Sequence, residues 1–129
     1  MIKVYVSKQS AYPVATPAIK KSLQTFFEKE GIVSNADVTV ALVGEKKMAR
    51  LAEKYLKERG EIHNVLTFPG TEVRHEFLYP PGDALHLGEI VICYPKAVDE
   101  AKRENKLINQ KVKELVEHGA RHLMGIHHE

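Results

Sequence analysis

The stretch DVTVALVGEKKMARLAEKYLKERG, residues 37–60, changes its period in the middle. Up to Val43 it is a short run of β-branched and apolar residues, the habit of a strand. After Gly44 the apolar positions are Met48, Leu51, Ala52, Tyr55 and Leu56, spaced three and four apart as on one helix face, and Gly60 ends the pattern. A strand followed at once by an amphipathic helix calls for a sheet covered by helices.

Working outward, residues 2–6 alternate as a second strand. Between the two strands, Thr16 as cap and Pro17 in the first turn can open a helix that carries Ile19, Leu23, Phe26 and Phe27 on one side, with Gly31 beyond its end. Further on, Val65 to Phe68 and Ile90 to Cys93 have strand length. The segment between Pro69 and Leu87 holds Gly70, Pro80, Pro81 and Gly82 without sustained periodicity and reads as a long loop. From Lys96 the chain is helical, with a break expected between Asn105 and Asn109. The expectation is one α+β domain over residues 1–129, with a mixed sheet of about four strands covered by helices.

Composition limits the function classes. With 129 residues and 43% hydrophobic content, the chain can bury one core without disulfides. No apolar run approaches the roughly 20 residues of a membrane-spanning helix. The opening MIKVYV lacks the pattern of a secretory signal. The one cysteine, Cys93, lies in an apolar run and reads as a small buried hydrophobe, which suits a reducing compartment. A cytoplasmic protein without membrane contact is expected. The net charge of +2 requires any nucleic-acid contact to come from a local basic patch.

The chemistry is concentrated in HGARHLMGIHHE, residues 118–129. His118 and His122 are four apart and project from one helix face. Gly125 can take the left-handed conformation that ends a helix and turns the chain, so that His127 or His128 comes back toward the pair. Three histidines with an open fourth position are the makeup of a catalytic zinc site, in which that position takes the water to be activated. One Zn2+ per chain is expected. The spacing matches the zincin-type HExxHxxGxxH motif, but Gly119 stands where those peptidases carry their glutamate base, which argues against peptide hydrolysis.

The same segment resembles the motif HGxLHLxGYDH of the YbeY family, through His118, Gly119, His122, Leu123, Gly125 and His128. Asn64 to Pro69 is similar to that family's VLSFP strand, Leu87 to Ile92 to its LGDIVI strand, and Pro95, Ala97, Glu100 and Ala101 to the helix start that follows. The resemblance implies a zincin-like metal site on the last helix, with His118, His122 and His128 as ligands. It also implies a zinc-dependent, single-strand-specific endoribonuclease that matures the 3′ end of 16S ribosomal RNA and serves ribosome quality control. Ribosomal RNA and the small ribosomal subunit are then the expected partners. The family's basic residue upstream of the VLSFP strand falls on Lys57 by ungapped counting and on Arg59 by local similarity; Arg59 is the candidate catalytic residue. His127 replaces the family's aspartate, and His63 its threonine.

Other polar residues have plainer readings. Lys57 and Arg59 suit the end of a helix through its dipole. Glu89 is either outward-facing or an acceptor behind a ligating histidine, and His75 and His86 read as surface residues. Lys102, Arg103, Lys106, Lys111, Lys113 and Arg121 form either an RNA-facing patch or a solvated face interleaved with glutamate. Two further functions compete with the nuclease: a zinc hydrolase of a peptide or other small substrate, and a non-catalytic ribosome-associated protein with a structural zinc.

Overall fold

The computed structural model describes residues 1–8, 12–60, 62–70 and 85–125. The chain runs β1 (Ile2–Lys8), α1 (Thr16–Lys29), β2 (Ala36–Val43), α2 (Glu45–Leu56), β3 (Val65–Pro69), β4 (Leu85–Cys93), α3 (Tyr94–Arg103) and α4 (Ile108–Leu123). The strands form one sheet in the order β1-β2-β4-β3. β1, β2 and β4 are parallel, and β3 joins the edge antiparallel to β4. This is the expected α+β architecture with a mixed four-stranded sheet. Among the described residues no helix is long and apolar enough to cross a membrane.

Strand alternation divides the apolar residues between two cores. Val38, Val40, Leu42, Ile90 and Ile92 face α1 and α4, where they meet Leu23, Phe27, Val112 and Val116. Ala41, Val91, Cys93 and Phe68 face the other way, toward Met48 and Leu51 of α2. The sheet is therefore covered on both sides, and β2 is buried along nearly its whole length.

Boundaries differ from the sequence expectation where tertiary contacts decide them. α1 is capped by Ala15, not Thr16. The Ala15 N–H donates to the Asn109 side chain at 2.9 Å, so the partner comes from α4, 94 residues away. β4 begins at Leu85, five residues before the apolar run, because pairing with β2 extends down to Ala36↔Leu85. The expected break before α4 is present, with Asn105 in the left-handed region at φ 57°.

Candidate metal centre and its surroundings

α4 packs on the sheet close enough that position 119 has no room for a side chain. A Cβ on Gly119 would lie 2.7 Å from Ile90 Cγ2 and 3.1 Å from Thr67 Cγ2. This approach carries the adjoining helix position, His118, to the β3 edge of the sheet. His118 and His122 are both exposed, and with Leu56, Val65, Leu66 and Thr67 they line an open groove of about 250 Å³.

The two imidazoles face one another. Their Nε2 atoms are 3.0 Å apart, with ring centroids at 4.6 Å and an interplanar angle of 62°. Two neutral rings reach this distance only if one donates an N–H to the other, whereas a shared cation would serve both lone pairs. Two nitrogens on a tetrahedral ion, with bonds of about 2.0–2.1 Å, stand roughly 3.3 Å apart, so the pair fits zinc with little adjustment. Among the described residues there is no group of three or more histidine, cysteine or acidic side chains able to hold a metal. His127 and His128 lie outside the described residues, as does His75. Gly125 has φ 75°, the left-handed conformation expected to end the helix.

Arg59 is exposed in the turn after α2, whose last residue, Leu56, lines the groove. Lys57 is exposed in the same turn, at φ 60°, and its backbone N–H caps α2 by donating to the Ala52 carbonyl. His63, beside β3, is paired with Glu58 at 2.7 Å. Asn64 donates to Glu100 at 3.0 Å, which ties the start of β3 to α3.

Two readings of polar residues require correction. His86 is not a surface side chain: its Nδ1 contacts Asp37 of β2, and its Nε2 lies 2.7 Å from Glu89 of its own strand. The cause is an irregularity in register. Asp37 pairs with His86 but Thr39 with Glu89, so β4 carries an extra residue and brings both side chains to one face. Glu89 is 0% exposed, so it does not face outward. Thr67 pairs with Ile90, which faces α4, and Phe68 with Glu89, which faces α2. Glu89 therefore lies across the sheet from the histidine pair. The two nitrogens of His86 serve carboxylates on opposite sides of its ring, a brace between β2 and β4 and not a convergent ligand set.

The supposed basic patch also divides. Lys111, only 9% exposed, donates to Glu104 at 3.0 Å, and Lys106 donates to Glu114 at 2.6 Å. Those two lysines belong to an ion network at the α3–α4 corner. Lys102 and Arg103 are exposed on α3, and Lys113 is exposed on α4. Cys93 is buried, and burial pushes its thiol pKa up, which suits the inert core role expected for it.

Sequence reasoning did not find the walls of the groove. Val65, Leu66 and Thr67 were legible as a strand, but that this strand would be the one beside α4 depends on sheet order. Gly119 in mid-helix was the available signal of close packing.

The comparisons with known proteins bear on the family and the fold. The profile of the family described as Endoribonuclease YbeY matches residues 5–129. A protein named Endoribonuclease YbeY from Acinetobacter baylyi is 32% identical over 86% of this chain and 68% of its own length. Its namesake from Dehalococcoides mccartyi is 29% identical over 99% of this chain and 78% of its own. The solution structure of TM1509 from Thermotoga maritima superposes with a TM-score of 0.59 at 25% identity, covering all of this chain and 75% of that one. Fold, motif order and profile agree, and the chain belongs to the YbeY family.

Proposed function

We propose that this chain is a metal-dependent endoribonuclease that cuts unpaired ribosomal RNA, with one zinc ion held by His118, His122 and His128. The observation that carries the reading is the pair of facing Nε2 atoms, 3.0 Å apart, above an open groove beside the edge strand. Family membership supplies the reaction class. When bound, the ion would lower the pKa of a water molecule and neutralise charge on the phosphate.

The chain's own residues do the rest. Gly119 lets α4 seat against Ile90 and Thr67, which fixes where the imidazoles stand. Arg59, three residues beyond the groove-lining Leu56, would attract the phosphate and favour its developing charge. The groove is open and only about 250 Å³ in volume, which suits an extended strand crossing it better than an enclosed small molecule. A peptidase would need a glutamate at position 119, and that position is buried against the sheet. The reading extends to 3′-end maturation of 16S ribosomal RNA and quality control on the small ribosomal subunit in the cytoplasm.

Elemental analysis of purified protein tests the site: about one zinc per chain is expected. His118→Ala and His122→Ala should each abolish metal retention. Arg59→Glu should leave metal content intact and lower cleavage. Absence of any transition metal after reconstitution would remove the reading.

A further inference from the structure

α4 has a second exposed flank, away from the histidine pair. Where it meets α1 there is a groove of about 410 Å³. Three lysines line it: Lys21 and Lys29 from α1, and Lys113 from α4. The one carboxylate there, Glu117, accepts a hydrogen bond of 2.7 Å from the Ser22 hydroxyl. Phe26, half-buried against the core, contributes an aromatic surface to the lining. Cations along a groove with an aromatic ring in its wall are what an unpaired nucleic-acid strand uses, phosphates against ammonium groups and a base against the ring.

Position adds to charge. Lys21 and Lys29 are eight residues apart, about 12 Å along a helix, which is more than one phosphate spans. Lys113 and Glu117 lie on the α1 side of α4, and His118 and His122 on its β3 side. The two grooves thus flank one helix, and a helix with its side chains is about 10–12 Å wide. We propose that the α1–α4 groove is a second RNA-binding surface, which holds the unpaired strand on the side of α4 opposite the scissile phosphate. This rests on the ribonuclease reading and adds to it a direction for the strand.

The test compares wild type with the triple variant Lys21→Glu/Lys29→Glu/Lys113→Glu and its milder form with glutamine at the same positions. A control, Lys96→Glu/Lys102→Glu/Arg103→Glu, makes the same charge change on α3. Binding of a fluorescent unpaired oligoribonucleotide is followed by anisotropy across a salt series, under chelation so that the strand stays intact. Circular dichroism establishes that the variants fold. Once the three ammonium groups are replaced, the slope of log affinity against log salt should fall by about 2, at roughly 0.7 per phosphate no longer neutralised, and low-salt affinity should fall at least about tenfold. The control should keep the wild-type slope. Wild-type slope and affinity in both groove variants would overturn the groove while leaving the nuclease reading intact. Equal loss in the control would also overturn it, by assigning the effect to bulk charge. Absence of any RNA affinity in the wild type would overturn the groove alone, because the chelated protein lacks the ion on which the nuclease reading depends.

Discussion

Gly119 and Gly125 serve the proposed metal site in different ways. Gly119 sets the distance of α4 from the sheet, so Gly119→Ala forces a methyl against Ile90 and should cost about 1–3 kcal/mol as an overpacking change. Combining it with Ile90→Ala, which removes the opposing methyl, should cost less than the sum of the single changes. Urea unfolding of the four proteins measures this coupling. At Gly125 the conformation is the constraint: φ is 75°, and a β-branched side chain is strongly disfavoured there. Gly125→Val should therefore lower metal affinity more than it lowers stability, because the turn lies after the last helical residue, Leu123. Titration with a zinc indicator set beside thermal melting separates the two effects. His86 answers to packing of a different kind. His86→Ala would leave Asp37 and Glu89 buried without the ring between them, and a loss of about 3 kcal/mol is expected in the same urea assay.

At the scale of elements, the helices and parallel strands were legible in the sequence because each carries its period in its own residues, as the 37–60 stretch does. The full extent of β4 was not. The motif resemblance reached back to Leu87, but Leu85 and His86 fell in the expected loop and are held by pairing with β2, so only the sheet reveals them. The same limit hid the His86 brace, since its partner Asp37 is 49 residues away and meets it through a local register shift. The histidine pair was legible because an i, i+4 spacing on a helix is local geometry. The corner between α3 and α4 makes a testable element of its own. Hydrogen bonds from Lys111 and Lys106 hold the Glu104 carboxyl below its usual pKa. A lowered native pKa means the network contributes fully above the ordinary carboxylate range and loses its contribution as pH falls through the lowered value. The stability gap between wild type and Lys111→Met should accordingly narrow on acidification, as followed by thermal melting between neutral and acid pH. A gap that widens would mean that burial of Lys111, and not its pairing, dominates that corner.

Taken whole, the molecule places its two candidate RNA surfaces on either flank of α4, with the sheet and α1 as a base and the Asp37–His86–Glu89 brace across the sheet from the histidine pair. An open groove on an edge strand favours a substrate that can bend its backbone. Unpaired RNA can do so, whereas an A-form duplex holds its phosphates in fixed geometry. The central claim is metal-dependent cutting of unpaired RNA through the His118 and His122 pair, and the most direct measurement is cleavage of a ribosomal RNA fragment containing both paired and unpaired segments. It is run with zinc-loaded protein, chelated protein and His118→Ala protein at one stated salt concentration. The expected result is cleavage confined to unpaired segments, lost on chelation, restored by zinc and absent in the variant. Cleavage that persists unchanged under chelation and in His118→Ala would contradict the account.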